Sequence, residues 1–464
     1  MEFLWLFLPV VFLVSRLLPK KAVNGWLLVS SLFFYAFGEP VYIVLMLISI
    51  IFNYGAGFCI NFFKGKWRVV SLTAAAIVNI LLLVYFKYYD FLVTLINSFT
   101  GRGMLRLKDI ALPIGISFFT FQIMSYLFEL YRGKVKLQKS LFKLALYISF
   151  FPQLIAGPIV NYADIENQIS TRKFSPEQTA YGIKRFIWGL SKKVLIANIL
   201  AATVDGILAI EINEIPSGYL WLAYLLYAMQ IYYDFSGYSD MAIGLGRMFG
   251  FNFLENFDYP YLSATMAEFW RRWHISLSSW FRSNLYIPLG GNRKGNLRTA
   301  ANLLIVFALT GLWHGAGLNF LVWGLWHGIF IVAERFSYKK ERENGILVYL
   351  RRAGTLVVVY FGWIFFRAGS ITTAVMTIIK MFSFSSGNPD FYFRTVGSGL
   401  TLLAAAVAAA GCGPAQIMIP KLKAALLNET GIGYIQIGLL SLLLAVSIVF
   451  ITIGSYNPFI YFRF

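Results

Sequence analysis

Long apolar runs constrain this chain more than any other feature. Runs of spanning or near-spanning length occur at about 3–18, 23–38, 40–63, 69–86, 110–131, 141–159, 186–209, 218–233, 301–313, 317–334, 354–367, 371–384, 398–412 and 434–455. A straight helical span needs roughly 20 residues. Several runs are shorter, and Gly or Pro interrupts many of them. Broken backbone at membrane depth is tolerated only where protein or a water-filled cavity covers it. The runs therefore predict an all-α, polytopic integral membrane protein. It has about eleven transmembrane helices, with re-entrant or interfacial helices beside a cavity.

Composition supports this reading. The hydrophobic fraction is 58% and the charged fraction 13%, against about 45–50% and about 25% in soluble domains. The longest polar stretches, near 161–176 and 337–352, are too short to bury a core of their own. Residues 1–464 are accordingly read as one integral membrane domain.

The net charge is +19, from 40 basic and 21 acidic residues. In a soluble protein this would point to nucleic acid. Here the bases fall in short gaps between apolar runs: Lys20 and Lys21; Lys64, Lys66 and Arg68; Arg132, Lys134, Lys136 and Lys139; Lys192 and Lys193; Lys339, Lys340 and Arg342; Arg351 and Arg352. That is the positive-inside pattern of cytoplasmic loops, with anionic lipid heads as the partner and no nucleic acid. The first run has Glu2 before it and Arg16, Lys20 and Lys21 after it. A signal peptide carries its basic region first. The run is thus read as a retained span of the cell membrane with its N-terminus outside. Cys59 and Cys412 lie far apart in apolar surroundings, which predicts buried inert thiols.

Four interrupted stretches are candidates for function: 111–122, 149–162, 232–251 and 266–328. The third places Asp234 and Asp240 in an aromatic, apolar run. Intramembrane carboxylates face a cavity or a basic partner. Six residues apart, they point about 240° from each other on an unbroken helix. A break at Ser236–Gly237 would change that. Pairing with Arg247, Arg271 or Arg272 is one reading, and acceptor binding is the other.

The fourth stretch holds all three histidines, His274, His314 and His327. From 266 to 282, Phe269, Trp270, Trp273, Leu277, Trp280 and Phe281 recur at helical spacing opposite Arg271, Arg272 and Arg282. This predicts one helix lying at a membrane interface, with His274 at its border. The string GLWHG occurs twice, at 311–315 and 324–328. Its histidines are thirteen apart, about 220° on a continuous helix unless GAGLN bends the chain. There is no HExxH and no neighbouring carboxylate, so no metal site is expected. No G-x-S-x-G occurs; FSGYS at 235–239 only imitates it. A neutral imidazole at membrane depth can take a proton from a hydroxyl and return it, as acyl transfer from a thioester requires. It can equally pack within a helix bundle.

Six stretches and the chain's ending together resemble the membrane-bound O-acyltransferase family, in its bacterial alginate O-acetylation branch. The stretches are PIGISFFTFQ (113–122), FFPQLIAGPIVNY (150–162), DFSGYSDMAIGLGRMFGF (234–251), FWRRWHISLSSWFRSNLYIPLGGNR (269–293), TGLWHGAGLNFLVWGLWHG (310–328) and GWIFFRA (362–368). The ending is NPFIYFRF.

The resemblance implies tilted helices around a central cavity with a catalytic His314 and an assisting His274. It assigns His327 no role. It also implies an acyl group, acetyl by the YIPLGGNR string, taken from a cytoplasmic thioester. The donor is acetyl-CoA or, as in the related D-alanyl transferases of teichoic acid, an acyl-carrier protein. No tightly bound cofactor is implied. The acyl group passes toward a hydroxyl on an extracytoplasmic polysaccharide or partner protein, with a separate extracytoplasmic acetyltransferase as finishing partner. The competing classes are a non-enzymatic transporter or flippase of an acylated precursor and a recruiting scaffold. Neither needs His314.

Overall fold

A computed structural model describes residues 2–101, 103, 105–337, 345–386, 398–418, 433–454 and 459. Among these it contains helices and no strands. Six helices are long and apolar enough to cross a membrane: Tyr42–Phe62, Gly65–Thr100, Pro176–Leu208, Asn296–His314, Gly345–Arg367 and Tyr434–Ile453. Phe3–Leu17, Ile371–Met381 and Gly399–Gly411 are shorter apolar helices. The chain is a multi-pass membrane protein. Proline and glycine explain why some apolar runs give short pieces. In the run at 110–131 the helix begins only at Ile116, after Gly115 with φ of 78°. The run at 141–159 breaks at Phe150, just before Pro152.

The chain divides into two compact units, Met1–Ile183 with Ala242–Leu254, and Lys184–Met241 with Glu255–Phe464. The first holds α1 (Leu8–Leu17), α2 (Lys20–Gly38), α3 (Tyr42–Phe62), α4 (Gly65–Leu83), α5 (Tyr89–Thr100), α6 (Ile116–Tyr131), α7 (Leu141–Ser149) and α8 (Tyr162–Thr171). Some of its buried polar groups pair with one another, as lipid favours. The amides of Asn53 on α3 and Asn79 on α4 exchange hydrogen bonds of 3.1 and 2.7 Å. Arg16 is folded inward: its guanidinium donates to Thr179 Oγ1 at 2.6 Å and to the Met248 carbonyl at 2.8 Å. The expected burial of the two cysteines is not found. Cys59 on α3 is exposed, and Cys412 of the second unit is only partly covered.

Two helices contribute residues to both units: α9 (Pro176–Ser191), which continues through a π-helical turn at Lys192–Ala197, and α11 (Ser217–Met248). The second unit adds α10 (Asn198–Leu208), α12 (Met266–Arg272), α13 (Ile275–Phe281), α14 (Asn296–His314), α15 (Leu318–Ser337), α16 (Gly345–Arg367), α17 (Ile371–Met381), α18 (Gly399–Gly411) and α19 (Tyr434–Ile453).

Within the second unit α9 and α11 meet backbone to backbone. A Cβ on Gly189 would fall 2.6 Å from the Met241 nitrogen, and one on Gly237 would fall 2.8 Å from the Gly189 carbonyl. The contact brings the cations of one helix against the carboxylates of the other. Asp240, 7% exposed, takes Arg185 and Lys192 at 2.6 Å each, and Arg185 also reaches the exposed Glu255 at 2.6 Å. Asp234 pairs with Lys193.

These partners correct the sequence reading. Helix α11 runs unbroken through Ser236–Gly237, so its two carboxylates diverge and meet cations at different points along the 184–193 stretch. Arg247, Arg271 and Arg272 are not those partners; Arg272 pairs with Glu268 at 2.9 Å and Asp258 at 3.5 Å. Lys192 and Lys193 lie in the long apolar helix Pro176–Leu208, not in a loop. The Lys339, Lys340 and Arg342 cluster lies outside the described residues.

The twin GLWHG motifs turn out to be a helix crossing. Helix α14 ends at His314, the chain turns over 315–317, and α15 starts at Leu318. Gly311 opens one motif and Gly324 the other, and they face each other. A Cβ on Gly311 would lie 3.2 Å from Gly324 Cα and collide with the Phe320 carbonyl; one on Gly324 would collide with the Phe307 carbonyl. Small residues at such a crossing let membrane helices approach closely.

Four outcomes are expected in detergent unfolding measurements. Gly324→Ala should destabilise the protein by about 1–3 kcal/mol through overpacking. Gly206→Ala, where a Cβ meets nothing within 4 Å, should be neutral or gain up to about 1 kcal/mol of helix propensity. Asp240→Asn should cost about 3 kcal/mol because it leaves the half-buried Lys192 without its anion and the buried Arg185 with Glu255 alone. Glu255→Gln, on the exposed side of the same network, should cost about 0–1 kcal/mol.

Candidate active site

The stretch 266–282 does not form one interfacial helix. It breaks into α12 and α13, and His274 stands at the break with φ of 45° and ψ of 55°. This left-handed conformation is uncommon outside glycine and costs of order 1–3 kcal/mol. The surroundings hold it there. The Asp258 N–H donates to the Arg272 carbonyl at 2.9 Å, and the Ile275 N–H donates to the Asn256 carbonyl at 3.0 Å. The tryptophans of the stretch face protein: Trp270 is 6% exposed, Trp273 1% and Trp280 6%. His274 is fully buried and so is not a border residue.

Asn256 orders the break. Its side-chain oxygen accepts from the Ser276 N–H at 3.1 Å and the Ser276 hydroxyl at 2.9 Å, and lies 3.3 Å from His274 Nδ1. A backbone N–H can only donate, so the atom facing Ser276 is the amide oxygen. That oxygen can only accept, so it calls for a proton on Nδ1 and leaves the lone pair of the neutral ring on Nε2. The ring stands edge-on to Phe235 with centroids 4.6 Å apart, 5.8 Å from Trp313 and 6.3 Å from His314.

His314 is the last residue of α14 and is 3% exposed. Trp323 lies 4.9 Å from it, Trp313 5.0 Å and Phe366 5.3 Å, all near perpendicular. Trp323 also meets His327, at 5.1 Å, and Trp270 meets His327 at 5.3 Å. His327 is fully buried, and neither of its ring nitrogens has a hydrogen-bond partner among the described residues. Gly362 of α16 makes room for it, because a Cβ there would come within 2.7 Å of His327 Nε2.

The turn at 315–317 thus brings all three histidines into one aromatic cluster. The pair with adjacent rings is His274 and His314. Two imidazoles in such a shell can pass protons where little water competes.

Sequence reasoning missed Asn256, Phe235, Trp323 and Phe366. Asn256 lies in an ordinary polar loop, and only its hydrogen bonds reveal its task. The three aromatics belong to apolar runs that offer no signal of their own. Of the C-terminal NPFIYFRF string, only Phe459 is among the described residues. It is buried against Phe235 at 5.7 Å and Tyr238 at 4.9 Å, one ring away from His274.

Comparison with known proteins gives the family of this chain. The sequence profile of the membrane-bound O-acyltransferase family matches residues 116–377, which include all three histidines. The chain is 37% identical to a probable alginate O-acetylase AlgI of Pseudomonas putida, over 100% of this chain and 99% of that protein. It is 40% identical to the corresponding protein of Pseudomonas aeruginosa, over 83% of this chain and 74% of that one. It is 36% identical to a peptidoglycan O-acetyltransferase of Helicobacter pylori, over 82% and 78%. With its apolar helices and its buried histidine cluster, this chain belongs to the membrane-bound O-acyltransferase family and is a multi-pass membrane O-acyltransferase.

Proposed function

We propose that this enzyme acetylates a hydroxyl of an extracytoplasmic polysaccharide, taking the acetyl group from acetyl-CoA on the cytoplasmic side of the cell membrane. The observation that carries the reading is the His274–His314 pair, 6.3 Å apart and sealed by aromatic rings, in a chain of this family. The names of the relatives, an alginate O-acetylase and a peptidoglycan O-acetyltransferase, support acetyl as the group and a glycan as the acceptor. The N-terminus lies outside, as the basic flank after the first apolar run favours. A separate extracytoplasmic acetyltransferase completes the transfer, either by receiving the group or by presenting the glycan.

His314 is the general base. It removes the proton from the acceptor hydroxyl as the oxygen attacks the thioester carbonyl. The C–S bond breaks, and the leaving thiolate takes the proton back from the imidazolium. The products are an O-acetyl ester and free thiol. His274, with its lone pair on Nε2 and its ring 6.3 Å away, steadies the charge that develops on His314. Asn256 positions His274 by fixing its tautomer. The aromatic shell excludes water that would otherwise hydrolyse the thioester.

Transfer of labelled acetyl from acetyl-CoA, measured with purified protein, its extracytoplasmic partner and the glycan acceptor, tests the reading. His314→Ala should lower kcat by about 10²–10⁴-fold while the protein stays folded. Wild-type transfer by that variant would reject His314 as the base. Asn256→Ala should lower kcat by about tenfold and leave KM unchanged, and it should also displace the pH profile of kcat. An effect on thermal stability alone would mean that Asn256 is purely structural.

A further inference from the structure

The second unit holds a cavity of about 840 Å³ that acyl transfer leaves unused. Its size is that of a ligand site. Leu225 and Met229 of α11, Leu262, and Leu356, Val357 and Val359 of α16 line it. The hydroxyls of its tyrosine walls are already engaged. Tyr261 donates to the Ala228 carbonyl at 2.5 Å, and Tyr360 donates to the Trp221 carbonyl at 2.8 Å. Leu225, Leu356 and Val357 are exposed, so the cavity is a groove open along one side. In a multi-pass membrane protein, that side meets hydrocarbon.

Among the described residues the lining carries one charge, Arg352. Its guanidinium lies over the Tyr349 ring, 5.7 Å from the centroid. It forms no ion pair among the described residues, and its Nε is buried without a hydrogen-bond partner there. A cation beside an apolar groove calls for an anion. No carboxylate lines the groove among the described residues, so the anion arrives with the occupant.

The length and the side match one leaflet. Arg352 and Trp363 both line the groove and stand eleven residues apart on α16, about 16 Å along the helix. The hydrocarbon of one leaflet is about 15 Å deep, half of the bilayer core. In sequence, Lys339, Lys340, Arg342 and Arg351 flank Arg352, which sets this end of α16 on the cytoplasmic side. The cytoplasmic leaflet is the one with a negative surface.

We infer that this groove binds one anionic phospholipid of the cytoplasmic leaflet, with its phosphate on Arg352 and an acyl chain laid along α16 as far as Trp363. A guanidinium fork pairs with phosphate oxygens in two-point hydrogen bonds. The lipid is a bound component and not a substrate; none of its bonds is made or broken. Its far end has a task nonetheless. Trp363 is a wall shared with the histidine cluster: it meets Trp273 at 4.9 Å and Trp323 at 6.1 Å, and Trp323 covers His314. A chain packed behind Trp363 keeps water from the back of that shell.

Native mass spectrometry of the full-length protein in detergent tests this, with phosphatidylglycerol, phosphatidylcholine and diacylglycerol of the same chains as probes. One phosphatidylglycerol should be retained about five- to tenfold more tightly than phosphatidylcholine, whose choline offsets the phosphate charge, and diacylglycerol should bind more weakly still. Phosphatidylglycerol should also raise the thermal midpoint, as any ligand of the folded state does. Arg352→Gln should erase the preference for the anionic lipid, and Arg352→Lys should keep part of it. Arg351→Gln, a neighbour outside the lining, should leave it intact. Ala353→Trp and Leu225→Trp, which fill the groove from exposed positions on its two helices, should each lose the retained lipid and the thermal shift.

Equal binding of phosphatidylglycerol and diacylglycerol overturns the inference, as does an undiminished preference in Arg352→Gln. Full lipid retention in both tryptophan variants places the lipid elsewhere and overturns it too. Tighter binding of a polyprenyl phosphate than of phosphatidylglycerol, or a copurifying protein chain in place of lipid, would name a different occupant and reject the phospholipid. None of these readouts requires acetyl transfer, so failure of the lipid site leaves the proposed reaction standing, and failure of the reaction leaves the lipid site standing.

Discussion

Lipid tails are as apolar as leucine, so membrane helices gain little by hiding apolar side chains from them. What remains is close contact, and the approach of Gly311 to Gly324 is the contact on which the histidine cluster depends. It sets α14 against α15 at a distance no side chain would allow. That distance puts Trp323 over His314 and, on its other side, against His327. The GLWHG repeat is therefore two halves of one crossing. Its glycines do the same work twice, while its histidines end in different places.

The polar groups of the second unit follow a complementary rule. A charge taken out of water needs a partner at close range. The α9–α11 crossing, made by Gly189 and Gly237, supplies that range for Asp240 with Arg185 and Lys192, and for Asp234 with Lys193. Phe235, the residue after Asp234, stands against the His274 ring. The ion pairs thus help fix the helix that forms one wall of the histidine cluster.

Much of this was legible in the residues. The apolar runs announced a helical membrane protein, three of the four interrupted stretches marked breaks while 232–251 proved one continuous helix to Met248, and the compound motifs pointed to the family. The stretch 266–328 gathers all three histidines in the sequence, and the fold gathers their rings. Other features were not legible, for physical reasons. A heptad-like spacing of tryptophans cannot distinguish a lipid-facing stripe from one packed on protein, so the break at His274 and the burial of Trp273 went unseen. Sequence neighbours such as Arg247 and Arg271 suggest themselves as carboxylate partners, but a helix crossing brings together residues some fifty positions apart, as Arg185 and Asp240 show. Asn256 has no sequence signature, because accepting two hydrogen bonds from Ser276 is a property of loop geometry.

The left-handed backbone at His274 separates the histidines by what stability alone would choose. His327 sits relaxed inside α15 with Gly362 shaped around it, so its ring contributes packing whatever the chemistry. His274 occupies a conformation that glycine adopts freely and histidine does not. A gene copy released from the task proposed for His274 would feel no pull to keep the imidazole there and a small thermodynamic push to lose it. Decay of an inactive descendant should begin at position 274 and spare 327, leaving the scaffold upright after the reaction is gone.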